Sequence, residues 1–242
     1  MGRSALLPIQ EQTGVDAFAV EGYTEVLYLG SEGNDTSGQY IDTELLPSET
    51  KDMDFNIVYE NTKIAQRNHV LSTSRKYNNK TNYYYVMYQD NGKNRVSIGS
   101  TTGDWQNITQ DTKYDGFQRV KTAAGKYVNM TESGYKSGDF TFTQVPQASF
   151  LMFTCNYYGT EGPKYFSTGN IYSCYITEDY KVVRNFIPCK RNSDSAGGMY
   201  DLAGGKFYTN KGTGDFIYPA SDSALIPVKG SEDFDKESGI AW

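Results

Sequence analysis

Alternation of apolar and polar side chains in short segments constrains this chain more than any other feature. In residues 51–60, apolar side chains occupy every second position, and mostly acidic or amide side chains fill the positions between them. This pattern is typical of a β-strand with one face buried and one face wet. No stretch of ten or more residues carries a helical stripe with capping residues at its ends. The sequence therefore predicts an all-β fold.

Turn residues predict four hairpins between these segments. Asp90-Asn91-Gly92 separates a strand in 82–88 from a return strand in 95–98, and this is a strong hairpin signal. Three further turns are predicted at 124–125, 178–180 and 204–205. A continuous apolar run over 149–155 predicts one buried central strand. Many short strands separated by Gly and Asn describe a sandwich or a barrel.

Length and composition favour one large β unit. The chain has 242 residues, and all-β sandwiches commonly reach about 200–250 residues as one domain. Its mean hydropathy is low at -0.62. Aromatic residues nevertheless make up 14% of the chain, with 21 tyrosines, so it has the apolar surface that disordered chains lack.

Charge and hydropathy exclude several classes of partner. The net charge is -6 and the basic residues are scattered, which disfavours nucleic acid as a ligand. No apolar run approaches the ~20 residues of a transmembrane helix, so no membrane insertion is predicted. Residues 1–8 do not form a signal-peptide pattern, and we expect nothing in the chain to direct export. The odd count of 3 cysteines predicts buried, reduced thiols.

The two ends differ from the middle of the chain. Residues 1–22 lack sustained alternation and are predicted to be an N-terminal arm. Residues 219–242 carry five acids against two lysines, a net charge of -3. This tail is either a solvated segment or a docking segment for a partner, because it also carries apolar anchors. The anchors are Leu225, Ile226, Phe234, Ile240 and Trp242.

Two parts of the sequence resemble a known family. They are residues 23–29 with 38–43 near the start, and an ordered block over 174–214 that includes Val183-Arg184-Asn185-Phe186-Ile187-Pro188-Cys189, Gly198-Met199-Tyr200-Asp201-Leu202 and Lys206-Phe207-Tyr208-Thr209-Asn210. The sequence of these segments is similar to that of the concanavalin A-like (laminin G-like) jelly-roll domain found in bacteriophage virion proteins and gut-bacterial surface proteins. The resemblance covers residues 23–218 and implies an antiparallel jelly-roll sandwich of two sheets whose first and last strands pair. We assign the matching residues to folding, with Pro188 at a strand edge or bulge.

Catalysis is not expected. The hydrolases that the family resembles use a Glu-x-Asp-x-x-Glu strand, and no Glu here has an Asp two positions later. The nearest substitutes are the pairs Asp52 with Asp54 and Asp42 with Glu44, each on a common face. Asp52 and Asp54 are more simply explained as the wet face of an amphipathic strand. His69, the only histidine, lies beside a strand-like segment without a nucleophile motif, so a structural role is predicted.

A metal ion is an open alternative at one loop, and no other cofactor is expected. Family members often hold Ca²⁺ in loops of Asp, Asn and backbone carbonyls. The segment 33–38 offers Asn34 and Asp35, but the same residues are ordinary turn formers.

Aromatic residues supply the predicted glycan-binding positions. Aromatic faces stack on sugar rings, and the residues proposed for this role are Tyr84, Tyr88, Trp105, Tyr157 and Tyr158. The competing interpretation places one row of tyrosines in the core and the other in an interface between the subunits of a homo-oligomer.

Together these observations predict a non-enzymatic bacteriophage virion protein. Its partners would be other capsid or tail proteins, with host-surface polysaccharide as a further ligand. It would be assembled in the host cytoplasm and reside in the virion. The alternative is a lectin-like carbohydrate-binding module of a gut-bacterial surface protein, located at the bacterial cell surface.

Overall fold

The described part of the chain is built from strands and turns. The structure is a computed structural model, and it describes residues 19–48, 50–63, 68–75, 84–90, 93–99, 106–110, 116–123, 125–131, 134–139, 148–157 and 162–219. No helix occurs in these ranges, and so none that is long and apolar enough to cross a membrane. The strands are β1 (Tyr23–Glu25), β2 (Leu29–Glu32), β3 (Ile41–Asp42), β4 (Met53–Glu60), β5 (Asn68–Ser72), β6 (Ser74–Arg75), β7 (Tyr84–Asp90), β8 (Lys93–Gly99), β9 (Gln106–Gln110), β10 (Gly116–Ala123), β11 (Lys126–Thr131), β12 (Gly134–Asp139), β13 (Leu151–Met152), β14 (Cys155–Tyr157), β15 (Pro163–Lys164), β16 (Thr168–Glu178), β17 (Lys181–Arg191), β18 (Gly197–Asp201) and β19 (Lys206–Thr209).

Two antiparallel sheets form the sandwich that the sequence predicted. The larger sheet has ten strands in the order β12-β11-β10-β4-β16-β17-β18-β19, with β1 added on β17 and β2 on β16. The smaller sheet has six strands in the order β3-β13-β5-β7-β8-β9. Their facing side chains share one core, in which the rings of Phe55 and Phe150 lie 4.9 Å apart.

The alternation in β4 is confirmed. Met53, Phe55, Ile57 and Tyr59 are buried, and the residues between them are partly exposed. A strand shows side chains to opposite faces in turn, so this pattern directs one face of β4 to the core and the other outward.

All four predicted hairpins are present. Asp90 pairs with Lys93, and Ala123 pairs with Lys126. The other two join β16 to β17 and β18 to β19. In each case the turn and the alternating flanks are neighbours in sequence, which is why a local pattern was sufficient to locate them.

The predicted single strand over 149–155 is wrong in one respect. The segment is buried and central, but it is divided between β13 and β14. Phe153 has a φ of 68°, in the left-handed region, and this turns the chain out of the smaller sheet. Beyond this turn, β14 enters a third sheet of three strands, where it pairs in parallel with β6.

Pro188 lies inside β17 rather than at a sheet edge. It faces Met199 of β18, and its carbonyl oxygen accepts a hydrogen bond from Val26 N on the other side. At this point β17 exchanges β16 for β1 as its neighbour. The missing N–H of Pro188 therefore falls at a break between ladders, where a donor is dispensable.

The two ends of the described chain meet. Gly30 N donates to Ile217 O (2.6 Å), and Ile217 N donates to Gly30 O (2.9 Å). This bridge joins β2 to the segment that follows β19. The expected pairing of the first strand with the last is wrong, because β17 and β18 lie between β1 and β19 in the larger sheet. The domain boundaries at 23 and 218 themselves stay a prediction.

Candidate functional site

The predicted glycan-binding residues fall largely outside the part of the chain that the structure describes. Tyr84 and Tyr88 belong to β7, and Tyr157 ends β14, but their side chains lie outside the described set. Trp105 and Tyr158 are also outside it. Their proposed role stays a prediction.

The loop that carries Asn34 and Asp35 forms a compact turn. Asn34 Oδ1 accepts hydrogen bonds from Thr36 N (2.9 Å) and Ser37 N (3.0 Å). Asn34 N donates to Ser37 O (2.9 Å). These bonds occupy the amide oxygen that a metal ion would need. Within the described ranges, no three His, Cys, Asp or Glu residues come together as a metal-binding group. The expectation of calcium at this loop itself stays untested.

Three of the four carboxylates considered for hydrolysis, those of Asp54, Asp42 and Glu44, have structural partners. Asp54 accepts a two-pronged hydrogen bond from the Arg119 guanidinium on the wet face of β4 and β10. Asp42 Oδ1 accepts from Glu44 N, and Glu44 pairs with Lys206. His69 is fully buried in β5, with Nδ1 3.3 Å from Ser72 Oγ. These contacts agree with structural roles.

A cluster that the sequence did not single out lies on the outer face of the larger sheet. In β16, Asn170 and Tyr172 are partly exposed and alternate with buried Ile171. Glu60 is the last, partly exposed residue of β4, and it pairs with Asn170 in the ladder. Tyr28 immediately precedes β2 and is also partly exposed. We refer to Tyr28, Glu60, Asn170 and Tyr172 as the Tyr172 cluster.

Hydrogen bonds and ring contacts hold the Tyr172 cluster together. The Tyr172 hydroxyl donates to Glu60 Oε2 (2.9 Å), and Asn170 Nδ2 donates to the same oxygen (2.9 Å). The rings of Tyr28 and Tyr172 meet edge to face, with their centroids 5.5 Å apart. Gly30 makes room for this arrangement, because a Cβ there would lie 2.8 Å from Asn170 Oδ1. The side chains are thus positioned before any ligand arrives.

Burial, followed by the hydrogen bond to Glu60, raises the pKa of the Tyr172 hydroxyl above its ordinary value. The phenol therefore stays protonated over the physiological range and acts as a hydrogen-bond donor. Glu60 Oε2 accepts the two donors of the cluster, and no hydrogen bond within the described residues reaches Oε1. The cluster thus offers an amide, a free carboxylate oxygen and two aromatic rings.

A second aromatic group lies further along the same face. The ring centroids of Tyr23 and Tyr200 are 5.0 Å apart, as are those of Tyr23 and Phe207. Arg191 covers the Phe207 ring at 5.5 Å and holds Asp194 through two hydrogen bonds. The bond from Arg191 lowers the pKa of the Asp194 carboxyl to about 2. Arg191 and Asp194 are already paired with each other, so this aromatic group has fewer unpaired polar atoms for a ligand than the Tyr172 cluster has.

Sequence reasoning could not find the Tyr172 cluster. Glu60 and Tyr172 are 112 residues apart, and Glu60 and Asn170 are 110 apart. The only local signal is that each polar member occupies the wet position of an alternating strand, a property that many other residues of this chain share.

Comparison with known proteins gives a similar solved structure and no family assignment. No protein-family model matches the chain, and no curated protein matches it. Among solved structures, the chain is similar to the CBM40 of the Ruminococcus gnavus IT-sialidase, which was solved bound to α2,3-sialyllactose. The match has 14% sequence identity and a TM-score of 0.43, and it covers 66% of this chain and 94% of that one. No ligand and no residue role follow from a likeness at this level.

Proposed function

We propose that this protein is a non-enzymatic carbohydrate-binding β-sandwich whose ligand lies on the Tyr172 cluster. The observation that supports this proposal is the convergence of two tyrosine rings with an amide and a carboxylate on one partly exposed sheet face. Sugar rings present apolar C–H faces and polar hydroxyls together. Tyrosine rings complement the C–H faces, and the amide and carboxylate complement the hydroxyls.

The geometry of the cluster supports binding with a small entropic cost. The Tyr172 hydroxyl and the Asn170 amide both bond Glu60, so three of the four side chains are already oriented. Side chains that are held in place lose less rotamer freedom when a ligand binds, and more of the contact energy remains as affinity.

The chemistry of the cluster supports binding rather than catalysis. A tyrosine nucleophile needs a base or a lowered pKa to become reactive. The pKa of Tyr172 is raised instead, because burial and the Glu60 carboxylate both disfavour the phenolate. The two carboxylates required by most glycosidases are also missing from the cluster, which has Glu60 alone.

Isothermal titration calorimetry after a glycan array tests the proposal. We expect binding to at least one class of oligosaccharide, and a roughly tenfold loss of affinity in Tyr172→Ala. A lost ring contact or hydrogen bond is worth ~1 kcal/mol or slightly more, and 1.4 kcal/mol corresponds to about tenfold. Tyr172→Phe keeps the ring and removes the hydroxyl, so it separates the two contributions.

Tyr175→Ala is the matched control. Tyr175 lies on the same strand, and 37% of it is exposed. We expect its affinity to stay within about twofold of the unaltered protein, because no hydrogen bond or ring contact among the described residues connects it to the cluster. An array without hits, or equal losses in both alanine variants with unchanged thermal unfolding, would mean that this cluster does not bind glycans.

The virion role expected from the sequence stays a second proposal. It relies on the tail anchors Leu225, Ile226, Phe234, Ile240 and Trp242, which lie outside the described residues. No comparison supports capsid or tail proteins as partners, and location in a virion or at a bacterial surface is untested. Co-purification with a capsid or tail protein is the measurement that would bring this role forward.

A further inference from the structure

Within the described ranges, no neighbouring cation compensates the charge of Glu60. Several other carboxylates of the described chain are paired with Lys or Arg: Glu44 with Lys206, Asp54 with Arg119, Glu178 with Lys51, Asp194 with Arg191, and Asp201 with Arg184. Among the described residues, no such pair includes Glu60. The hydrogen bonds that its side chain accepts from described residues come from a neutral phenol and a neutral amide. The Tyr172 cluster therefore presents a net negative charge on the outer face of the sheet.

The free carboxylate oxygen determines which ligand groups gain energy at this point. A hydroxyl, an amide N–H or an ammonium group would donate to Glu60 Oε1, and hydrogen bonds to an ionised acceptor are about twice as strong as neutral ones. A ligand carboxylate or sulfate in the same position would meet a like charge in a partly desolvated setting. Like-charge contact is a common means of rejecting wrong partners.

The charge of the whole chain acts in the same direction. With a net charge of -6, the protein repels anionic ligands before they reach the site. This long-range effect is screened by salt, with a Debye length of about 8 Å at physiological ionic strength. The local effect of Glu60 acts at contact distance and is screened much less. The two contributions can therefore be separated by experiment.

We infer that the Tyr172 cluster selects neutral or amino sugars and rejects acidic ones, and that Glu60 is the residue that determines this selection. The inference depends on the proposed function, because it describes the ligand class of the same site. Glu60 here acts by direct contact with the sugar, and the hydrogen bonds from Asn170 and Tyr172 also hold its carboxylate in position.

The test compares neutral oligosaccharides with their sialylated and sulfated derivatives on one array, at low and at high salt. For the unaltered protein we expect at least about tenfold weaker binding of the acidic member of each pair, and a preference that persists at high salt. In Glu60→Gln we expect the difference between the two members to fall to about threefold or less. Glutamine keeps an oxygen for the Tyr172 hydroxyl, so the variant is expected to fold. Its affinity for neutral sugars is expected to fall as well, because an ionised acceptor is lost, so the decisive readout is the ratio of the two affinities.

Glu178→Gln is the matched control. It removes the same charge from the far end of β16, where Glu178 pairs with Lys51. If overall charge produced the preference, both variants would relax it equally and the inference would be overturned. Strong binding of acidic glycans that is lost in Tyr172→Ala would also overturn it, while leaving the proposed function intact. Absence of binding to any glycan would refute the proposed function, and the inference with it.

Discussion

Asp201 is a fully buried carboxylate whose contacts are structural. Its Oδ1 accepts hydrogen bonds from Asn185 N (2.8 Å) and Ala203 N (3.0 Å), and Arg184 Nε lies 3.7 Å from Oδ2. The first bond connects β18 to β17, and the second closes the turn that leads to β19. A buried charge is tolerated only with such partners. This supports assigning the recognisable 198–202 segment to folding rather than chemistry.

The three cysteines are buried thiols, as the sequence predicted. Cys174 pairs with Phe186 and shares the core face with it. Cys189 lies three positions further along β17, so its side chain points to the opposite face. A sheet separates the two thiols, and they cannot form a disulfide without rearrangement of the strands.

We predict that the native thiols react very slowly with alkylating reagents. Burial raises the pKa of the Cys189 thiol to about 12 and also raises that of Cys174. At pH 8 this lowers the reactive thiolate fraction of Cys189 by about three orders of magnitude, in addition to the steric protection. Thiol titration should therefore detect almost no reaction in native protein and all three thiols in denaturant. Rapid labelling of one thiol in the native state would contradict this burial.

At the scale of elements, the β16–β17 hairpin has an unusual turn. Glu178 pairs with Lys181, so the loop has only two residues. Asp179 and Tyr180 have φ values of 47° and 64°, where glycine or asparagine is the usual choice. Asp179 is held by two hydrogen bonds with Asp52, from Asp179 N to Asp52 O and from Asp52 N to Asp179 Oδ1. Tyr180 is 74% exposed, so replacing its side chain removes little packing energy.

Tyr180→Gly is expected to stabilise the protein by ~0.5–1 kcal/mol. Glycine adopts a positive φ without the steric penalty of a Cβ, and the exposed ring contributes little packing. Urea unfolding followed by circular dichroism measures the change. Tyr180→Ala, which keeps the Cβ, is the control and should change the free energy of unfolding by no more than a few tenths of a kcal/mol. Equal stabilisation by both substitutions would show that loss of the ring, and not backbone strain, is responsible.

At the scale of the whole molecule, the sandwich is closed by residues from both ends of the described chain. Tyr23 begins β1 on the end of β17, and Ile217 bridges Gly30 in β2. Phe216 is buried, with its ring centroid 5.5 Å from that of Phe153. Every one of these contacts lies between residues 23 and 218, so a chain trimmed to this range keeps its closing contacts.

We therefore expect residues 23–218 to fold alone, with a free energy of unfolding within about 1 kcal/mol of the full chain. Its glycan affinity should be unchanged, since the Tyr172 cluster lies inside the range. If the tail docks to a second copy or to another protein, size-exclusion chromatography with light scattering should show an assembly for the full chain and a monomer for the trimmed one. Monomers in both cases would mean that the ends do not drive self-assembly, and an unfolded trimmed chain would mean that the boundaries are wrong.

Much of the fold could be predicted because the relevant signals are local. Alternation assigned the buried face of β4, and turn residues located all four hairpins, since both depend on residues within a few positions of each other. The split of 149–155 at Phe153 was missed, because an apolar phenylalanine gives no sign of a left-handed φ. The positive φ values of Asp179 and Tyr180 were likewise not indicated by the sequence, because the turn has no glycine. Hydrogen bonds between Asp179 and Asp52 hold this turn in place.

The amino-acid sequence by itself determined that the fold is all-β, which face of β4 is buried, and which neighbouring strands form the four hairpins. Only the tertiary structure decided that β4 lies beside β16, and that β2 lies on the other side of β16. That adjacency brings Glu60, Asn170 and Tyr172 together with Tyr28 over Gly30. Pairing between strands about 110 positions apart depends on the packing of the whole core and leaves no local pattern in the sequence.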